Sequence, residues 1–222
     1  MNNDYIKYFK KIKTTAYPAE AIIRIFKGKY PKLDLKYKKK NKILDIGFGD
    51  GRHLFFFKSL GLDVYGVDIH KDIIENIKTK NMNFKLKIGS ADYLPFKNNF
   101  FNIIVAWNSC YYMGKNKDNL NFCNVVKEIA KKIKKNGSLI CSVPTKENFI
   151  FKDSEVIKKN YRLIKNDFFS QLRNGEIMRC FSSYLDIKNE FGIHFKNFQF
   201  SKISIDCFGL AYEWLIFVAQ KK

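Results

Sequence analysis

The sequence predicts an α/β fold built on a mostly parallel sheet with helices on both faces. Three observations carry that reading. The first is the stretch Lys42-Ile43-Leu44-Asp45-Ile46-Gly47-Phe48-Gly49-Asp50-Gly51-Arg52-His53. There an apolar run ends in a carboxylate and breaks into three alternate glycines before a helix opens, which is the pattern of a buried parallel strand feeding a loop and a helix. The second is a series of short apolar runs at 63–68, 84–88, 101–108 and 138–144, separated mostly by segments with a 3.6-residue apolar period. The third is length, since 222 residues suit one well-buried α/β domain.

Taken in order, residues 1–17 are basic and aromatic and read as a short helix or an arm. Pro18 is expected at the first position of a firmer helix, with Ile22, Ile23 and Phe26 as its apolar stripe and Glu20 paired with Arg24. After the glycine loop, residues 54–60 make a helix that Gly61 closes. The strand 63–68 ends in Asp68, placed at an exposed strand end, and residues 69–80 form the next helix with Ile73, Ile74 and Ile77 toward the sheet. The strand 84–88 runs into Gly89-Ser90-Ala91-Asp92-Tyr93-Leu94-Pro95-Phe96. The strand 101–108 ends in Trp107-Asn108-Ser109-Cys110-Tyr111-Tyr112, at the carboxyl edge where open α/β sheets hold their ligands.

Asp118 is expected to cap a helix carrying Phe122, Val125, Val126, Ile129, Ala130 and Ile133 on one face. Asn136-Gly137 then reads as a turn into the strand 138–144. From 145 to about 180 the pattern weakens; 167–172 and 176–181, joined through Arg173-Asn174-Gly175, read as a hairpin or a loop. Ser182-Ser183 caps a helix over 184–191, and strands at 198–207 and 214–219 close the chain. No linker or repeat divides it. The expectation is one domain: an N-terminal arm and helix (1–41), a core (42–143), a covering segment (144–181), and a closing helix and strands (182–222).

Composition excludes several classes. An apolar fraction of 46% with 28% charged residues is ordinary for a soluble protein, no apolar run reaches membrane-spanning length, and the N-terminus lacks the form of a signal peptide. Five cysteines are scattered without a C-x-x-C pair and three histidines lie far apart, so no metal site is expected and a reducing, cytoplasmic setting suits the thiols. The net charge of +20 invites a nucleic-acid partner. Against that, only five of the 41 basic residues are arginine, the side chain that reads phosphates and bases in bidentate fashion, and runs such as Lys38-Lys39-Lys40 read as solvated surface.

The glycine spacing selects the ligand. A dinucleotide loop of the G-x-G-x-x-G type would need a third glycine where Arg52 stands, which disfavours a nicotinamide dehydrogenase. Asp45 two residues before Gly47 would repel a pyrophosphate but suit a cationic amino group and a sulfonium. Acid-x-G-x-G-x-G resembles the first signature of the class I S-adenosylmethionine (SAM) methyltransferases. That resemblance implies a Rossmann-like fold with a seven-stranded, mostly parallel sheet, an antiparallel edge strand and SAM as cofactor. It implies further that Asp45, Gly47, Phe48, Gly49 and Gly51 pack on the methionine part, and that Asp68, about 20 residues beyond Gly47, takes the ribose diol beside Ile69. Asp92 would accept from the adenine amino group with Ala91 and Tyr93 against the purine, and Tyr17, Trp107 and Asn108 would complete the site. The likeness is ordered from Lys42 to Val143 and looser beyond. Tyr17-Pro18-x-Glu20…Arg24 and Arg173-Asn174-Gly175 are also similar to a bacterial small-molecule subgroup (methyltransferase type 11-like), whose members cover their acceptor with elements inserted after the fifth strand.

The implied chemistry is in-line displacement at the sulfonium methyl by an oxygen or nitrogen of a small acceptor: a sugar, a metabolite or a lipid headgroup. His53, Tyr111 and Tyr112 are the candidates near the expected methyl position, though each has the character of a packing residue more than of a base. The sequence carries neither the Asn/Asp-Pro-Pro-Tyr nor the Pro-Cys pattern of DNA-base methyltransferases, so Cys110 reads as a small packed residue. An RNA methyltransferase and a SAM-binding module without catalysis remain open alternatives. Acceptor identity and oligomeric state are not legible.

Overall fold

A computed structural model describes residues 17–33, 35–78, 83–118, 120–167 and 171–222. The arm expected over residues 1–16 and the helix end expected at 79–80 lie outside the described residues. The elements run α1 (Glu20–Lys27), β1 (Lys42–Ile46), α2 (Arg52–Ser59), β2 (Asp63–Asp68), α3 (Lys71–Lys78), β3 (Lys85–Ile88), β4 (Phe101–Trp107), α4 (Phe122–Lys132) and β5 (Ile133–Pro144). A 3-10 turn (Phe149–Phe151), β6 (Ser154–Lys158), β7 (Tyr161–Ile164), β8 (Ile177–Arg179), α5 (Tyr184–Phe191), β9 (Phe195–Cys207) and β10 (Leu210–Lys221) complete the chain.

Seven strands form the main sheet in the order β3-β2-β1-β4-β5-β10-β9. The first five are parallel; β10 is antiparallel to both β5 and β9. The closing hairpin turns at Phe208-Gly209, both with positive φ, and this turn lays β9 outermost at the edge. The strand order reverses at β1, which pairs with β2 on one side and β4 on the other, so a crevice opens above their carboxyl ends.

Both faces of the sheet are buried, and the alternation along the strands says how. Leu44, Ile104, Leu139 and Phe217 point to the side covered by α4 and α5, while Ile43, Ile103, Val105, Ile140 and Ile216 point to the side covered by α1, α2 and α3. The helices present the stripes expected of them: Ile22 and Phe26 on α1, Ile73, Ile74 and Ile77 on α3, and Val125, Val126 and Ile129 on α4 are all buried. Glu20 and Arg24 pair on the exposed side of α1, with Nε 2.8 Å from Oε1.

The structure corrects several local expectations. Helix α1 begins at Glu20 with Ala19 as its N-cap, so Pro18 lies outside it. Helix α4 begins at Phe122 with Asn121 at the N-cap, and Asp118 does not cap it. Ile133 is already extended and opens β5, because the carbonyls of Lys131 and Lys132 accept from Asn99 and Phe100 (2.9 Å each) and end the helix there. Asn136, with φ of 62°, is then a bulge inside β5: the pairing slips from Phe101 with Ile133 to Ile103 with Ser138.

Over 145–181 the loop alternative holds at Arg173-Asn174-Gly175, where a turn at 172–175 leads into β8, but the sequence did not foresee the three-stranded antiparallel sheet β6-β7-β8 with its hairpin turn at Lys159-Asn160. Residues 168–170 of the expected hairpin lie outside the described residues. The small sheet is bonded to the segment after β4: Arg179 N donates to Tyr111 O (2.9 Å), Met113 N to Ile177 O (2.9 Å) and Ile177 N to Gly114 O (2.8 Å). Arg179, almost fully buried, clamps it to α5 through Glu190 at 2.7 Å and lies 4.4 Å over the Phe181 ring.

Phe191 is the keystone of the α4–α5 side, touching Phe122 and Phe217 with centroids 5.7 and 4.8 Å away. Phe191→Ala should cost about 3–5 kcal/mol, as for large-to-small core changes. A lowered urea midpoint with unchanged slope is the expected result.

Candidate cofactor and acceptor site

The glycine loop between β1 and α2 is the floor of the crevice. Gly47, Gly49 and Gly51 all have positive φ (67°, 52° and 77°). At Gly47 a Cβ would also stand 2.7 Å from Cβ of Ser109, so this glycine allows the loop to lie against the segment beyond β4. Two orphan atoms meet there. Asp45 is only 1% exposed, and its Oδ2 finds no hydrogen-bond partner among the described residues; nor does Ser109 Oγ. A buried carboxylate oxygen with no donor is a place for a cation.

Asp68 closes β2. It is 6% exposed, which corrects the expectation of an exposed strand end. Its Oδ2 accepts from Gly49 N at 3.2 Å and its Oδ1 from His70 N at 3.0 Å. Burial pushes its carboxyl above the ordinary aspartate range, against the opposing backbone donors of His70, Gly49 and Ile69. Asp68 therefore both shapes the loop and keeps acceptor capacity, since each carboxylate oxygen can accept twice. Beside it Ile69 is 56% exposed, and across the same edge Tyr93 is 67% exposed in the 90–93 turn, where Asp92 takes the Ser90 hydroxyl. Ala91 in that turn is half-buried.

The side of the crevice beyond β4 is aromatic. Trp107 is buried at the end of β4, its ring edge-on to His53 at 6.3 Å. Asn108, with φ of 52°, donates its N–H to Ser142 Oγ (2.8 Å) and takes that hydroxyl's proton on Oδ1 (2.6 Å). Tyr111 stacks on Tyr112 (5.0 Å) and leans on Trp214 (5.7 Å), which in turn packs on Tyr212. Burial raises the Tyr212 hydroxyl's pKa, opposed by a hydrogen bond with Asn108 and by the guanidiniums of Arg52 and Arg173. Arg173 ties the 145–181 segment to the end of β4: its Nη1 lies 2.9 Å from both oxygens of buried Asp167 in the same segment and its Nε 3.3 Å from Tyr112 Oη. Burial works against this guanidinium's charge, and the neighbouring Tyr112, Tyr111 and Asp167 outweigh it, leaving its pKa raised.

The crevice thus brings together Asp45, the glycine loop, Asp68, Trp107 and Asn108. The carboxyl ends of β2 and β3 bring Ile69 alongside Ala91, Asp92 and Tyr93. Tyr17 is 90% exposed; the contact from its segment is made instead by Ala19, whose N–H donates to His53 Nε2 at 3.3 Å. Sequence reasoning missed Asp167, Tyr212 and Trp214. Arg173 had a signal in its Arg-Asn-Gly run, but Tyr212 and Trp214 reach the site only because β10 inserts beside β5. Among the described residues no three His, Cys, Asp or Glu side chains gather as metal ligands, and no helix is long and apolar enough to cross a membrane.

A Rossmann-like sheet with a glycine loop at its switch point defines the class: an α/β protein that binds a nucleoside-containing ligand. Residues 43–137 match a family model described as a methyltransferase domain. Among solved structures, a Pyrococcus horikoshii protein aligns with TM-score 0.64 and 19% identity over 100% of this chain and 97% of its own. A SAM-dependent methyltransferase from Methanosarcina mazei aligns with TM-score 0.65 and 16% identity over 93% and 99%. The protein bound by the Trm112 methyltransferase activator of Haloferax volcanii gives 0.66 and 13% over 100% and 99%. A search of curated proteins returns no match. At such identities the structural likeness is one of fold, shared along nearly the whole chain; the family match falls on the glycine loop, Asp68 and Asp92. Residues 43–137 carry a methyltransferase domain, and the whole chain shares the fold of SAM-dependent methyltransferases, which makes SAM the implied cofactor.

Gly47→Ala combines a left-handed backbone with a 2.7 Å clash against Ser109. It should weaken S-adenosylhomocysteine binding at least tenfold, about 1.4 kcal/mol or more, while the far edge of the sheet stays folded. Calorimetry alongside circular dichroism checks both parts.

Proposed function

We propose that this enzyme methylates an oxygen or nitrogen of a small molecule, with the site residues in the roles the sequence suggested. The observation that carries the cofactor assignment is the pair of buried carboxylates, Asp45 and Asp68, at the ends of adjacent strands on either side of the glycine loop. Asp45 holds the cationic amino end, Asp68 the ribose diol and Asp92 the adenine amino group, while Ile69 and Tyr93 flank the purine. SAM supplies an electrophilic methyl group on a sulfonium, the leaving group for attack by the acceptor.

The chain's own contribution is alignment and exclusion of water. The three sequence candidates for a base are engaged elsewhere. His53 Nε2 is taken by Ala19, Tyr111 is buried in the aromatic stack, and Tyr112 is held by Arg173. An acceptor that needs no strong base, or that ionises with its own pKa, suits such a site.

A small acceptor is favoured over RNA by the arginines. Arg24, Arg52, Arg173 and Arg179, four of the five, each have a carboxylate of this chain within 3.8 Å, so their forks are not presented to phosphates. The walls of Tyr111, Tyr112, Tyr212 and Trp214 beneath the 145–181 cover suit an acceptor bound by burial. The scattered free cysteines suit a reducing, cytoplasmic compartment.

Calorimetry should give tight binding of SAM and S-adenosylhomocysteine and none of NADH; the reverse would overturn the cofactor roles. Affinity for S-adenosylhomocysteine should fall as pH drops through the raised pKa of Asp68, because the protonated carboxyl loses acceptor capacity toward the diol. That fall begins above the ordinary aspartate range, and Asp68→Asn should abolish it while weakening binding by about 1.5–3 kcal/mol. Labelled-methyl transfer across a metabolite panel, run beside RNA at low and physiological salt, identifies the acceptor. Salt-resistant submicromolar RNA binding with RNA methylation would sink the small-molecule reading.

A further inference from the structure

Ala19 stands at the N-cap of helix α1 with a side chain that cannot cap, and its N–H goes to a side chain 34 positions away, His53 Nε2 at 3.3 Å. His53 is the second residue of α2 and 5% exposed, its ring 6.1 Å from Phe57 and 6.3 Å from Trp107. Because Nε2 accepts, the neutral ring carries its proton on Nδ1. That nitrogen stands 3.7 Å from Asp45 Oδ2, too long for a hydrogen bond but adjacent to the oxygen that has no other donor among the described residues. Three groups therefore stand in line: the N–H at the N-cap of α1, an imidazole with two fixed faces, and the orphaned carboxylate at the glycine loop. Packing ties the same elements together, since Phe26 of α1 lies 5.2 Å from Phe57 of α2.

We propose that His53 is a positioning residue that couples the seating of α1 to occupancy of the Asp45 end of the cofactor site. The inference rests on the assignment of Asp45 to the cationic end of SAM. A cation drawn to Oδ2 fixes the carboxylate that the imidazole faces, and so favours the ring orientation that holds Ala19. By linkage, a seated α1 favours cofactor binding by the same factor.

The probe is S-adenosylhomocysteine, read by calorimetry and by hydrogen exchange with and without it. In the wild-type chain it should slow exchange over residues 19–28 as well as over the glycine loop. His53→Leu keeps the ring's bulk without its polar atoms. It should speed exchange over 19–28 even without cofactor, lower affinity about tenfold, the scale of one hydrogen bond, and abolish the linked protection. His53→Gln, with an acceptor and a donor on one amide, should restore affinity to within about threefold. Ala19→Pro attacks the other end: the φ of −55° at Ala19 already suits proline, but the ring removes the N–H and sets its Cδ against His53 Nε2, so this start of α1 can no longer seat on the imidazole and affinity should again fall severalfold. Wild-type affinity in Ala19→Pro, or protection confined to residues 42–110 in the wild-type chain, would overturn the coupling. If His53→Leu does not fold, Ala19→Pro decides alone. A wild-type chain that fails to bind S-adenosylhomocysteine would instead defeat the assignment of Asp45, a separate outcome.

Discussion

A buried carboxylate holds the glycine loop in shape, and the site depends on it. Asp68 reaches back from the end of β2 to the N–H of Gly49 while accepting from His70 at the start of the next turn. The rest of the loop is fixed by the Gly47 N–H on Val67 O, the Gly51 N–H on Phe48 O and the buried Phe48 ring, while its three glycines sit in left-handed conformations. Burial of Asp68 makes the anion costly, and the backbone donors offset that cost only in part, so the carboxyl is kept above its ordinary range. A ligand that brings further donors completes the arrangement. The same holds at Asp45, where an oxygen is shut away from solvent with no donor of the chain's own among the described residues. Under the proposed roles, a ligand's donors would complete both carboxylates, which is how a preorganised site differs from a merely concave one.

Around that centre the chain uses two kinds of packing. The central parallel strands β1, β2 and β4 are buried on both faces, a rigid base from which their ends project. The 145–181 segment is more polar in its fastening. It relies on backbone bonds to residues 111–114, on Arg173 Nε against Tyr112 Oη and on Arg179 with Glu190. Removing one partner of such a pair leaves an uncompensated buried charge, so the fastening fixes geometry more than it adds stability. The aromatic walls lie between the base and this segment: Tyr111 and Tyr112 come from the β4 end, Tyr212 and Trp214 from β10.

The sequence by itself determined the α/β class, the glycine loop, both carboxylates and nearly every core strand and helix. These are local signals: an apolar run ending in an acid, glycines at alternate positions, a 3.6-residue stripe, and each is written within a dozen residues. Where a local signal had a competitor it misled. Asn136-Gly137 resembles a turn but is a bulge, because the turn at Asn99 and Phe100 takes the last carbonyls of α4 and draws Ile133 into the sheet. The turn at Lys159-Asn160 was invisible in a chain where Lys and Asn are common everywhere. Tertiary structure alone decided which distant residues share the crevice. Nothing near Trp214 announces a place beside Tyr111; it comes from β10 inserting between β5 and β9. Nor does either residue reveal that the Ala19 N–H meets His53, since a backbone donor carries no sequence signature and only the packing of α1 against α2 brings the two together.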